Sequence, residues 1–182
     1  MTTILGFQGA DFAILGADSQ VTDGDKRIIS PSTPKIVKIG KYLLAVSGDC
    51  RPGDVLTYNW KPPAYDGTNP RFFIGRKIIP SIISAFKAQG FDYTKEGTSY
   101  SYLLAFGGNI FEIGDDLSIT QSIDGLYGVG SGSAYGLGYL AGDLENLPEL
   151  EWAQASFIEA LDISAKYDIN TAAPFQIEVQ RP

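Results

Sequence analysis

The run Phe12-Ala13-Ile14-Leu15-Gly16-Ala17-Asp18 decides how this chain is read. An unbroken apolar stretch of this kind describes a strand buried on both faces rather than one that alternates between core and solvent. It ends abruptly on a carboxylate, which places Asp18 at the mouth of a buried strand. Such an aspartate commonly makes an Asx turn or a helix cap. It can also anchor a cation, because a carboxylate there can hold an ammonium group in place.

Outward from this run, Thr2 to Phe7 reads as a strand joined to it by the Gln8-Gly9-Ala10-Asp11 turn. A polar segment, Ser19 to Pro34, follows it. Ile36-Val37-Lys38-Ile39 and Tyr42-Leu43-Leu44-Ala45-Val46-Ser47 flank Gly40-Lys41, a hairpin signal. Trp60 to Pro70 reads as loop. Phe72, Ile79, Ile82, Ile83 and Phe86 then recur at helical spacing, with Pro80 a kink or a first-turn residue. Tyr100–Gly107, Asn109–Ile113 and Leu117–Ser122 read as a three-stranded meander. A helix packed through small residues is expected from Ser133 to Ala141. A second has Asn146 as cap, Pro148 in its first turn, and Phe157, Ile158, Leu161 and Ala165 on one face. Phe175 to Val179 alternates as a final strand. Strands, helices, strands, helices and a last strand fit two sheets packed on each other with helices outside. At 182 residues, with no repeat or long linker, residues 1–182 are expected to form one domain.

Composition removes whole classes of chemistry. There is no histidine, so Ser-His-Asp and Cys-His nucleophile pairs and histidine metal ligation are excluded. Any catalytic base must be a lysine, a carboxylate, an oxygen-held metal hydroxide or an amine. Cys50 is the only cysteine, which leaves no intrachain disulfide and no cysteine-cluster metal site. Asp23/Asp25 and Asp115/Asp116 lack calcium-loop spacing and read as turns. No cofactor or metal is therefore expected. The formal charge of −7 disfavours nucleic acid as a partner. No run of about eighteen apolar residues is present to span a membrane, and no secretory signal opens the chain. A cytoplasmic setting is the expectation. Residues 1–91 carry 11 Lys+Arg against 7 Asp+Glu, and residues 92–182 carry 3 against 14. That asymmetry suits an acidic solvated face, or subunits that present opposite signs to one another.

Three further stretches could carry chemistry. Met1-Thr2-Thr3 leads straight into a strand, although many chains begin in this way. Tyr127-Gly128-Val129-Gly130-Ser131-Gly132-Ser133-Ala134-Tyr135-Gly136 could cradle phosphate. However, Ser133 stands where the last glycine of the dinucleotide pattern belongs, so a tight strand-to-helix junction is the plainer reading. Asp168-Ile169-Asn170-Thr171 follows a helix and by itself is an ordinary polar loop.

Together these stretches resemble the proteasome β-subunit and HslV family of N-terminal nucleophile hydrolases, in order and almost end to end. Thr2-Thr3-Ile4 looks like that family's mature N-terminus, and Leu15 to Gly24 like its second-strand signature. Lys35-Ile36 matches its catalytic lysine segment, and Val46-Ser47-Gly48-Asp49 the segment of its oxyanion glycine. Gly130-Ser131-Gly132-Ser133 resembles its Gly-Ser-Gly-Ser motif, and Asp168-Ile169-Asn170-Thr171 its Asp-x-x-Ser with Thr171 for serine. From Gly48 to Pro70 the likeness weakens, because Arg51-Pro52-Gly53 and a proline-rich loop depart from the family's long first helix.

The resemblance implies an α+β fold, a four-layer αββα sandwich of two mainly antiparallel sheets with helices outside. It implies a threonine endopeptidase with Thr2 as nucleophile once Met1 is removed. An α-amine with a pKa of about 7.7–8.0 can then act as base on the same residue. Asp18 and Lys35 would pair beside Thr2, while Ser131, Asp168 and Thr171 would orient the amine and its water. Gly48 N–H would face the oxyanion, backbone at Thr22 and Gly48 would pair with an extended substrate, and Val46 would lie near the P1 pocket. The implied partners are polypeptide substrates, further copies in a hexameric or heptameric ring that could be stacked, and an ATP-dependent unfoldase. The short segment ahead of Thr2 is closer to HslV than to most proteasome β-subunits. A ring-forming structural subunit without peptidase activity is the competing reading.

Overall fold

The computed structural model describes residues 2–144 and 149–182. Period-two patterning assembles its two principal sheets, both antiparallel throughout. The first, in the order β10-β1-β2-β11, holds β1 (Ile4–Gln8), β2 (Ala13–Ala17), β10 (Leu126–Val129) and β11 (Gln176–Gln180). The second runs β5-β6-β7-β8-β9, from β5 (Ile36–Ile39) and β6 (Tyr42–Gly48) to β7 (Tyr100–Phe106), β8 (Asn109–Ile113) and β9 (Ile119–Thr120).

Alternate side chains divide the core into three slabs. Ile4, Ala13, Leu15 and Ala17 of the first sheet meet Leu43, Ala45, Leu103 and Ala105 of the second. On the opposite face of the first sheet, Leu5, Phe7 and Ile14 pack on Leu140, Phe157 and Leu161. These belong to helices α4 (Ser133–Asp143) and α5 (Leu150–Tyr167). On the opposite face of the second sheet, Tyr42, Leu44, Tyr102, Leu104 and Phe106 pack on Val55, Leu56, Ile74, Ile82 and Phe86. That outer layer is α1 (Cys50–Asn59) and a continuous helical stretch formed by α2 (Pro70–Phe73), a π-helical turn (Ile74–Ile78) and α3 (Ile79–Ala88). The chain thus forms the expected αββα sandwich. β2 is buried at every residue, as its unbroken apolar run requires. No described helix is long and apolar enough to cross a membrane.

The structure departs from the sequence reading in three places and decides between the two roles left open for Pro80. Within the polar segment, β3 (Gln20–Asp23) and β4 (Lys26–Ile29) form a separate two-stranded ribbon. Despite Pro52 and Gly53, a ten-residue α1 forms at Cys50–Asn59. Pro52 sits in its first turn, where a missing N–H leaves no intrahelical bond unmade, while Val55 and Leu56 drive the helix onto the second sheet. Pro80 lies in the first turn of α3, directly after the π turn, which absorbs the bond that proline cannot donate. Finally, Ile158 is 49% exposed, so α5 buries Ala153, Ser156, Phe157, Ala160, Leu161 and Ser164 instead of a face that includes Ile158. The expected cap Asn146 and first-turn Pro148 lie outside the described residues.

Candidate active site

Strand register brings the candidate residues to one end of the sandwich. β1 pairs with β2 through Ile4↔Ala17, which sets Thr3 beside Asp18, and with β10 through Ile4↔Val129, which sets Gly130 beside the segment before Ile4. In the facing sheet, Lys35 immediately precedes β5 and Gly48 closes β6. Asp168 follows α5 directly, as its C-cap.

Asp18 is almost fully buried, and four donors satisfy its carboxylate. Oδ1 accepts Thr3 N–H at 2.9 Å and Lys35 Nζ at 2.5 Å. Oδ2 accepts Gln20 N–H at 2.9 Å and Ala172 N–H at 3.2 Å. Three of these donors are backbone groups, so the fold itself holds the carboxylate in place. Asp18 makes both an Asx-type turn and an ammonium anchor, the two fates the sequence left open.

Lys35 Nζ donates to Asp18 and to Thr2 Oγ1 as well. Burial pushes its pKa down from 10.5, and Asp18 opposes that shift as the chief stabiliser of the charged form. Thr2 is itself buried apart from the cleft, with 6% of its surface exposed.

A second polar cluster lies behind Thr3. Asp168 Oδ2 accepts Thr171 Oγ1 at 2.6 Å and Ser131 Oγ at 2.9 Å, and Oδ1 accepts Asn170 Nδ2 at 3.3 Å. Burial alone would raise the Asp168 pKa, but the bonds from Thr171, Ser131 and Asn170 outweigh it and hold the group below its ordinary 3.8. A carboxyl depressed in this way stabilises the fold in full above its unfolded pKa, and loses that stabilisation as pH falls through the native one. Asp168→Asn should therefore be less stable than the native chain at pH 7, and the gap should close below about pH 4. Denaturant titrations at both pH values check this; an equal gap at both would contradict it.

The cleft in front of Thr2 has a cavity volume of about 140 Å³, and Lys35, Thr22, Val46 and Gly48 are among its lining residues. Gly48 has φ +100°, and a Cβ there would lie 2.2 Å from the Ser99 carbonyl oxygen, so only glycine fits. The corner is fixed to Ser99 from both sides: Asp49 N–H donates to Ser99 O at 2.9 Å, and Ser99 N–H donates to Asp49 Oδ2 at 3.0 Å. Val46 is half-buried against Gly53 on the cleft wall. Thr22 Oγ1 accepts Gln20 Nε2 at 3.1 Å. Among the described residues, no group of three or more Cys, Asp or Glu side chains is placed to hold a metal ion.

Thr2, Asp18 and Lys35 thus form one directly bonded group, and Ser131, Asp168 and Thr171 a second. Gly48, Thr22 and Val46 line the cleft. Sequence reading passed over Thr3, whose Oγ1 lies 2.6 Å from Thr171 Oγ1 and joins the two groups. It also passed over Gly132, where a Cβ would fall 2.1 Å from Thr3 Oγ1, and Gln20, whose buried Oε1 lacks a partner among the described residues. Thr3 stands in the quoted Met1-Thr2-Thr3 stretch, but its burial was not visible there.

Residues 1–57 match the family profile described as proteasome subunit. None of the curated proteins matches the chain. Among solved structures, it resembles BPH of Thiobacillus denitrificans in complex with epoxomicin, with 20% identity, 98% of each chain covered and a TM-score of 0.75. HslV from Trypanosoma brucei aligns at 19% identity over 99% of each chain, with a TM-score of 0.70. The Anbu (Gly-1) mutant from Hyphomicrobium sp. strain MC1 aligns at 14% identity over 100% of this chain and 82% of that one, with a TM-score of 0.74. At such identities these structures establish a shared fold. With the match over residues 1–57, they bear out the resemblance read from the sequence.

Proposed function

We propose that this chain is a threonine endopeptidase whose nucleophile is Thr2 after removal of Met1. The observation that carries this reading is Lys35 Nζ, which donates to Thr2 Oγ1 and to the buried Asp18 carboxylate in a cleft also lined by Gly48. The histidine-free composition supports it, because the free α-amine of Thr2 would supply the base that no imidazole can.

Thr2 Oγ1 attacks the scissile carbonyl carbon as its proton passes to the α-amine. The carbonyl π pair moves onto oxygen, which faces Gly48 N–H, and the Lys35 ammonium offsets charge building on Oγ1. Collapse re-forms the carbonyl and breaks the C–N bond, with the amine's proton going to the leaving nitrogen. Water then adds to the ester carbonyl and gives its proton to the amine. Loss of the acid returns that proton to Oγ1. Asp168, Ser131 and Thr171 would hold the amine and its water in place. The narrow cleft suits an extended chain paired as an added strand along backbone at Thr22 and Gly48. Folded substrates would then need prior unfolding by a separate ATP-dependent unfoldase. Exposed Trp152, Ile158, Tyr167 and Ile169 on and after α5 support burial between copies in a ring, for which the cytoplasm is the proposed setting.

The test compares two preparations on fluorogenic peptides, one beginning at Thr2 and one that retains Met1, each with its particle mass measured. Turnover by a multi-subunit particle of the first, and loss of about 10²-fold or more in the second, is expected from removal of the general base. Equal turnover by both would refute the amine as base. No turnover by either would favour a structural ring subunit, and a single-subunit mass would contradict the ring.

A further inference from the structure

Thr3 bonds directly to the Asp18 carboxylate and reaches the Asp168 carboxylate through Thr171. It is fully buried. Its N–H donates to Asp18 Oδ1 at 2.9 Å, the same oxygen that takes Lys35 Nζ at 2.5 Å, and its carbonyl accepts Asp18 N–H at 3.2 Å. Its hydroxyl lies 2.6 Å from Thr171 Oγ1, which in turn donates to Asp168 Oδ2 at 2.6 Å. A hydroxyl carries one proton. Because Thr171 spends its proton on a carboxylate, the Thr3 hydroxyl must be the donor to Thr171. The bonds therefore run in one direction, from Thr3 to Thr171 to Asp168.

Gly132 closes the far side. A Cβ there would lie 2.1 Å from Thr3 Oγ1, 2.6 Å from Thr171 Oγ1 and 2.8 Å from Asp168 Oδ2. With Gly132 backbone against the hydroxyl, Thr3 has little room for another rotamer. Thr2 is one peptide bond away from this clamped residue. Lys35, which must meet Thr2 Oγ1, is registered on the same Asp18 oxygen as Thr3 N–H.

We infer that Thr3 is a positioning residue: its hydroxyl, anchored through Thr171 to Asp168, holds Thr2 in register with Lys35. The inference rests on Thr2 as the reacting residue. A buried, satisfied threonine with a purely structural role would contribute to stability and leave the chemistry of folded molecules untouched. A positioning role acts on the chemical step, because displacement of a reacting group by a fraction of an ångström to an ångström is costly in rate.

The test uses the chain beginning at Thr2, with Thr3→Val (the same shape without the donor) and Thr3→Ser (the donor retained). Three quantities are read for the folded fraction: kcat, KM, and the pH dependence of Thr2 amine acylation followed by peptide mass. The titratable groups around Thr2 are Lys35 and Asp18, Asp49, Cys50 and Asp54 along the cleft, and Asp168 behind Thr3. None of them is altered. Thr3→Val should lower kcat about tenfold with KM changed less than about twofold, and Thr3→Ser should recover most of the loss. A Thr2 freed from the Lys35 ammonium should also have a higher amine pKa. Acylation should then shift about half a pH unit upward in the valine variant and not in the serine one. Unchanged kcat and an unchanged acylation profile in Thr3→Val would overturn the inference, as would equal losses in both variants. If the unaltered chain hydrolyses no peptide, the peptidase reading fails. The acylation profiles still decide whether Thr3 positions Thr2.

Discussion

Lys35→Met should lower kcat by about 10²–10³-fold with the fold intact, the scale typical for loss of one preorganised charge donor. The size of the effect follows from where Nζ sits. It is the donor given to Thr2 Oγ1, and it works in a partly buried setting, where a charge acts more strongly than in water. Loss of one partner from a buried ion pair can cost about 3–5 kcal/mol of stability, because it strands the other charge. Here Asp18 keeps its N–H donors from Thr3, Gln20 and Ala172, so most of that cost is avoided and the protein should stay folded. The lowered Lys35 pKa adds a sign. As pH rises through it, the ammonium loses its proton and its hold on Oγ1, so turnover should fall on the alkaline side before the ordinary 10.5 is reached. Steady-state kinetics across pH, alongside thermal melts, check both points. Turnover of Lys35→Met within about fivefold of the unaltered chain would remove lysine from the mechanism, because loss of such a donor costs far more.

Gly132→Ala carries a large expected structural effect at the centre of the polar cluster. Its φ of −90° suits any residue, so the problem is space and not backbone conformation. One methyl group would have to occupy the point where Thr3, Thr171 and Asp168 meet. Overpacking costs about 1–3 kcal/mol, and breaking the buried bonds there adds further loss. The control is Gly138→Ala in the exposed middle of α4, where an added Cβ meets nothing within 4 Å. That change should be neutral or stabilise by up to about 1 kcal/mol through helix propensity. Denaturant melts of the two variants should differ in sign or strongly in size; equal effects would show that Gly132 is not packed as described.

Strong burial patterns carried most of the fold. β2 shows an unbroken apolar run because both of its faces are covered, and β6 and β7 alternate large and small residues because they separate two unlike slabs. The β3–β4 ribbon escaped notice because β4 is exposed throughout, and an uncovered strand leaves no period-two mark. Helix α1 was obscured by Pro52 and Gly53, whose propensities are overridden by the packing of Val55 and Leu56. The π turn before Pro80 is a matter of hydrogen-bond register and has no composition of its own.

At the site, Asp18 was conspicuous because a charge interrupts an apolar run. Lys35 and Gly48 could be named only by resemblance, since a lysine before a strand and a glycine after one are ordinary features. Thr3 was in plain view beside Thr2. Its significance depends on contact with Thr171, which lies 168 residues away along the chain. Gly132 looked like one more glycine in a flexible junction. Its real constraint comes from three side chains on two distant segments, which no local pattern records.

The central claim is that the Thr2 hydroxyl and its own amine are the reacting groups. Covalent labelling by a peptide epoxyketone, located by peptide mass mapping, tests this most directly. One adduct per chain on the peptide beginning with Thr2, abolished in Thr2→Ala, is the expected result. Labelling that persists in Thr2→Ala, or maps to Cys50 in the same cleft, would contradict the account.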